Sequence, residues 1–246
     1  GMTRQVAEEW KAAVIQRPAL GLTGWLRVAR RGAAVAVLTY GCLLLLLALR
    51  LVERPLFGAA RPWTPHITQF VCRWALVLMG LPLRVRGQPM AARGAVVANH
   101  SSWLDIFALN ACQQVTFVSK DDVARWPMIG GLAKTVGTVF IKRDPKEARA
   151  QQEMFETRIR AGDHLVFFPE GTSSDGLRVL PFKSTLFAAF FTQDLKSVMQ
   201  IQPVSVIYHA PPHSDPAFYG FWGDTSFAPH FLRVLGAGLG LLSATF

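Results

Sequence analysis

Apolar positions along this chain follow two different rhythms. In the first third they run on without relief: residues 33–49 carry no charge and include Leu43-Leu44-Leu45-Leu46-Leu47. A helix needs about 20 such residues to cross a bilayer, so this run sits at the lower edge of a span. It lies too far into the chain, and lacks a small-residue cleavage site, for a signal peptide. Trp25, Arg27, Arg30 and Arg31 precede it as an aromatic and basic collar of the kind found at a membrane surface. Arg50, Glu53 and Arg54 close it, and Pro55 followed by Arg61-Pro62-Trp63-Thr64-Pro65 predicts a loop. Residues 67–83 are apolar again, but Arg73 and Gly80 break them and Pro82 ends them. With Trp74 beside Arg73, this second segment reads as a helix lying in the interface.

Beyond residue 84 the rhythm shortens. Apolar runs at 95–98, 115–119, 138–142, 164–168 and 201–208 read as strands. Helical stretches separate them. The clearest starts at Asp144 as N-cap with Pro145 in its first turn, puts Ala148, Phe155 and Ile159 on one face, and stops at Gly162. Residues 182–192 are apolar nearly all round, which marks a helix that is buried or faces lipid. Alternating strands and helices predict an α/β fold, a mainly parallel mixed sheet covered by helices on both faces. The chain then divides into an N-terminal membrane-anchoring helical segment, 1–84, and a domain that carries the chemistry, 85–246.

Composition narrows the partners. Hydrophobic residues make up 51% of the chain and the mean hydropathy is +0.26, high for a soluble enzyme and low for a multi-span membrane protein. A net charge of +10 fits anionic lipid or an acidic carrier protein. Nucleic acid is set aside, because no recognition motif accompanies the charge. Cys42, Cys72 and Cys112 lie in apolar surroundings without metal-ligand spacing. They read as reduced, buried thiols of a domain facing the cytoplasm, and no metal site is expected.

Polar residues cluster where strands end. Asn99-His100-Ser101-Ser102-Trp103-Leu104-Asp105 follows the first strand and opens a helix. Two readings fit it. Ser102 and Asp105 have the spacing of a capping box. His100 and Asp105 also suit a general base and the carboxylate that fixes its tautomer. Residues five apart on a helix lie about 140° apart, so the pair can meet only if His100 is still in the turn. Lys120 ends the second strand, Arg143 follows the third with a planar fork suited to phosphate, and Phe168-Pro169-Glu170-Gly171-Thr172 follows the fourth. The carboxyl ends of strands in an open α/β sheet share one crevice, so all four groups are expected there.

In that order these stretches resemble the glycerophospholipid acyltransferases related to bacterial 1-acylglycerol-3-phosphate acyltransferase. His-x4-Asp is matched by His100 and Asp105, Gly-x-x-Phe-Ile-x-Arg by 137–143, Phe-Pro-Glu-Gly-Thr by 168–172, and a Pro after an apolar strand by Pro203. The resemblance implies a glycerol-3-phosphate acyltransferase-like fold. It also implies transfer of a fatty acyl group from acyl carrier protein or coenzyme A to a lysophospholipid hydroxyl, 1-acylglycerol-3-phosphate first among acceptors, with no further cofactor. His100 and Asp105 are then catalytic, and Ser102, Lys120, Arg143, Glu170, Gly171 and Thr172 bind substrate. No Gly-x-Ser-x-Gly elbow is present, in keeping with direct transfer.

Residues 219–224 with Pro229-His230 are similar to a subgroup that acylates lyso-ornithine lipid, the alternative acceptor. A third reading is a catalytically silent, basic membrane module that recruits acyl carrier protein. Two departures stand out. Ser184-Thr185 replaces the Gly or Pro-Gly common after Phe-Lys, and residues 236–242 lack the charged strand that usually closes these enzymes, as if the end were truncated or altered. The positive-inside rule puts Arg27–Arg31 in the cytoplasm. A single span would export the enzyme from its substrates, so a helical hairpin anchored in the cytoplasmic membrane, with the catalytic domain facing the cytoplasm, is expected.

Overall fold

The computed structural model describes residues 21–92, 94–99, 102–125, 129–142, 144–168, 200–211, 219 and 227–246. Among them the chain forms helix α1 (Leu22–Phe57), α2 (Thr64–Leu78), strand β1 (Leu83–Arg86), β2 (Gly94–Ala98), α3 (Leu104–Cys112), β3 (Thr116–Lys120), α4 (Ile129–Thr135) and β4 (Val139–Ile141). Helix α5 (Ala148–Arg160), β5 (His164–Phe167), β6 (Gln200–His209), α6 (Phe227–Gly236) and β7 (Leu241–Thr245) complete it. The expected helix 182–192 and residues Ser184-Thr185 lie outside the described residues.

The strands form one mixed sheet in the order β1-β7-β6-β2-β5-β3-β4. Pairings among β6, β2, β5, β3 and β4 are all parallel, β7 runs antiparallel to β6, and β1 is parallel to β7. All five expected strands form, within two residues of the expected ends at either side. Period-2 alternation sorts their side chains onto two faces. Val96, Ala98, Phe117, Val166, Val204 and Val206 pack into one cluster with residues of α2, α3 and α6. Ala95, Val118, Val139, Ile141, Leu165 and Phe167 pack on the other side against Phe155 and Ile159 of α5. The sheet is buried on both faces, as near-continuous apolar strands require.

Two strands depart from the expectation. β1 straddles the expected boundary at residue 84 and is not among the expected strands, since Leu83-Arg84-Val85-Arg86 alternates apolar and charged residues as an edge strand does. The C-terminal stretch, expected to lack a closing strand, supplies β7, wedged between β1 and β6. Gly240, just before it, packs on the Tyr219 ring, where a Cβ would collide.

The N-terminal helices differ from the expectation at both ends. α1 runs 36 residues, about 54 Å, and continues through Pro55. The proline costs the bond its missing N–H would have made to the Leu51 carbonyl, and the helix ends two residues later. Arg50 also ties down the exit, donating to the carbonyls of Gly58 at 2.8 Å and Ala60 at 3.1 Å. Arg31, expected in the membrane collar, is instead buried. Its guanidinium donates to the carbonyls of Met79 (3.4 Å), Leu235 (3.3 Å) and Ala237 (2.7 Å), at the C-terminal ends of α2 and α6. Orphan carbonyls and the negative end of the helix dipole both favour a cation there.

At the other end of the pair, Glu53 is fully buried. It accepts bonds from Trp63 N (2.7 Å), Thr64 N (3.0 Å) and Thr64 Oγ1 (2.9 Å), and so caps α2 from outside. The two helices therefore run antiparallel as a hairpin. The inner face of α2 (Cys72, Ala75, Leu76) belongs to the same core as the sheet, while Phe70, Trp74 and Val77 are exposed. Cys72 is buried, but Cys42 and Cys112 are half-buried, and all three thiols are free.

Candidate active site

β2 stops at Ala98 and α3 starts at Leu104, and the described part of the intervening turn is tightly bonded. Leu104 N donates to Ser102 Oγ at 3.3 Å, and Ser102 N donates to Asp105 Oδ2 at 3.0 Å. Asp105 thus reaches back to the Ser102 N–H as the capping-box spacing predicts, while Ser102 Oγ takes Leu104 N and Asp105 N donates to the Ser102 carbonyl at 3.1 Å. Both residues are 0% exposed. The other carboxylate oxygen, Asp105 Oδ1, accepts a bond from the Tyr208 hydroxyl. Burial, the Asp105 charge and this bond push the Tyr208 phenol well above its usual range. It stays protonated and acts as a donor.

Asn99, at the other flank of the turn, carries the strand pairing beyond Ala98 with its side chain. Its Nδ2 donates to Val206 O at 3.0 Å and its Oδ1 accepts from Val206 N at 2.8 Å. His100 itself lies outside the described residues, as do Arg143, Glu170, Gly171 and Thr172. The strands that lead to them are described. β2, β5, β3 and β4 are neighbours in that order and parallel, so their carboxyl ends lie along one edge of the sheet. Lys120 closes β3 and pairs in register with Ile141 at the end of β4. Gly137, which opens the second motif, adopts φ +86° with Arg61 packed on it, so a Cβ there would press the Arg61 side chain at 3.0 Å. A cavity of about 840 Å³, lined by Arg61, Asn110, Thr138, Arg158 and His164 among others, opens at the opposite, amino-terminal edge.

Two further contacts were not anticipated. The Trp103 indole donates to His230 Nδ1 at 2.9 Å, which assigns the neutral ring's proton to Nε2. The Tyr219 ring lies 6.0 Å from that of Tyr208. The stretch singled out for lyso-ornithine lipid thus packs, through its described members, directly behind the His-x4-Asp turn. Residues 220–226 lie outside the described residues. Sequence gave no signal for Asn99 or Tyr208 as partners of this turn, because their bonds cross 107 and 103 residues.

Chemically, the arrangement is a buried, doubly bonded carboxylate at a strand-to-helix turn on the carboxyl edge of a parallel sheet. Residues 83–207 match the family described as Acyltransferase, and the chain belongs to that family. Among its relatives, a lyso-ornithine lipid O-acyltransferase of Rhodobacter capsulatus is 62% identical over 214 residues, 87% of this chain and 78% of that protein. A 1-acyl-sn-glycerol-3-phosphate acyltransferase of Neisseria gonorrhoeae is 39% identical over 117 residues, 46% of each chain. The crystal structure of the 1-acyl-sn-glycerophosphate (LPA) acyltransferase PlsC from Thermotoga maritima has the same fold, with TM-score 0.57 and 20% identity over 90% of this chain and 83% of that one. The four-motif resemblance therefore stands as family membership, and the enzyme class is acyltransferase.

Proposed function

We propose that this enzyme moves a fatty acyl group from a thioester to the free hydroxyl of lyso-ornithine lipid. The sequence alone favoured 1-acylglycerol-3-phosphate. The observation that reverses the order is the 62% identity over 87% of this chain to a protein named for the lyso-ornithine acceptor, against 39% over 46% for the glycerophosphate acceptor. The similarity of residues 219–224 and Pro229-His230 to the lyso-ornithine subgroup supports the same acceptor.

In this reading His100 takes the proton of the acceptor hydroxyl. The oxygen bonds to the thioester carbonyl carbon, the carbon–sulfur bond breaks, and the departing sulfur takes the proton back from His100. Asp105 orients the imidazole and stabilises its cationic form. Ser102 holds the turn, and Lys120, Arg143 and the Glu170-Gly171-Thr172 loop hold the acceptor head group. The donor is acyl carrier protein or coenzyme A thioester, with no further cofactor. The exposed apolar flank of α1, the one described helix long and apolar enough to cross a membrane, anchors the enzyme, with its domain on the cytoplasmic side of the inner membrane.

Steady-state assays with both acceptors test this. Wild type is expected to prefer lyso-ornithine lipid in kcat/KM, and Asp105→Asn to lose about 10²-fold or more in kcat with either acceptor. A clear preference for lysophosphatidic acid removes the acceptor assignment. Undiminished turnover in Asp105→Asn removes the mechanism.

A further inference from the structure

β6 reaches both flanks of the His-x4-Asp turn from positions two residues apart. Its backbone at Val206 bonds the Asn99 side chain in both directions, at 2.8 and 3.0 Å. The Tyr208 hydroxyl bonds Asp105 Oδ1. The two contacts, one from the Val206 backbone and one from the Tyr208 side chain, come from one rigid strand and together brace both flanks of the turn. β6 is also an interior strand, paired along β2 from Gln200 to Val204 and along β7 from Ser205 to His209. It is well suited to hold a distance.

From this juxtaposition we infer that Tyr208 is a positioning residue for acyl transfer, setting the Asp105 carboxylate while Val206, on the same strand, holds Asn99, the residue before His100. The inference rests on the reading that His100 and Asp105 act together. Ser102 N fixes one carboxylate oxygen from within the turn. Tyr208 fixes the other from outside it, and this second bond ties the carboxylate to the sheet. Without the tie to the sheet the carboxylate is held less firmly in its orientation. The imidazole then loses the partner that holds its tautomer, and a displacement of about 1 Å at a catalytic group is enough to cost around 10²-fold. The titratable groups around this carboxylate, among the described residues, are Tyr208, Tyr219 behind it, and His230 through Trp103.

The test is Tyr208→Phe, which keeps the ring and removes the donor, assayed at saturating thioester with lyso-ornithine lipid and normalised to folded protein. The expected result is a fall in kcat of threefold or more, near tenfold, with KM for the acceptor within twofold of wild type. A kcat within threefold of wild type overturns the inference, as does a rise in KM that accounts for the loss. Should Tyr208→Phe fail to fold, Asn99→Ala is read by the same criterion. Asp105→Asn in the same series separates the two layers. If it turns over like wild type, the His100–Asp105 reading itself fails. If it is inactive while Tyr208→Phe is normal, only the positioning role fails.

Discussion

Asp105 answers to two requirements at once. Its side chain completes a helix cap by accepting from Ser102 N, and it faces Tyr208 with its other oxygen. The geometry shows the cap, and the pairing of Asp105 with His100 belongs to the proposed mechanism. Because the cap holds the carboxylate in place, the two roles can be separated experimentally at Ser102. Ser102→Ala removes the acceptor for Leu104 N and is expected to lower stability by about 1 kcal/mol, read as a shift in the denaturant midpoint. Ser102→Thr, which keeps the oxygen, is expected to retain most of it.

This residue scale is also where sequence reading runs out. The box was legible because its partners are three apart. Trp103 with His230 was not, because 127 residues separate them and each alone passes for an ordinary core residue.

At the scale of elements, the N-terminal hairpin shows why charge in an apolar helix need not mark a membrane surface. Arg31 and Glu53 look alike in sequence, as flanking charges of a long apolar run. In the fold each is buried and capping another helix, Arg31 at the C-terminal ends of α2 and α6 and Glu53 at the start of α2. Removing Arg31 leaves buried carbonyls without their donor, and such groups cost about 1–3 kcal/mol. Arg31→Met is therefore expected to destabilise by about 2–3 kcal/mol, with a lowered thermal midpoint in detergent. A midpoint equal to wild type would show that water or lipid replaces the guanidinium. Gly80 shares this logic: at φ +76°, a Cβ there would come within 2.8 Å of the Arg31 guanidinium, so Gly80→Ala is expected to lower the same midpoint. The five central strands were legible because each is a short apolar run between breakers. β1 and β7 were not, since an edge strand alternates with charge, and β7 is a strand only because β1 and β6 lie on either side of it.

Over the whole molecule, the sheet separates two cores, and the larger one is shared with the hairpin. The outer side of that hairpin remains apolar, with Leu44 and Leu51 on α1 and Phe70 and Trp74 on α2 all exposed. A surface of this kind holds to a bilayer through apolar burial, with the +10 charge adding an attraction to anionic lipid that salt screens. Flotation with vesicles is expected to persist at high salt, with only the preference for anionic vesicles fading. Release of the protein by salt alone would mean that charge carries the association.

The central claim joins this anchored fold to one reaction on one class of acceptor, and lipid mass spectrometry reads it directly. In a bacterial host that makes lyso-ornithine lipid but has lost its own acyltransferase for it, the wild-type gene is expected to restore diacylated ornithine lipid, and His100→Ala is expected not to. Accumulation of lyso-ornithine lipid despite expressed, folded wild-type protein, or equal restoration by His100→Ala, would contradict the account.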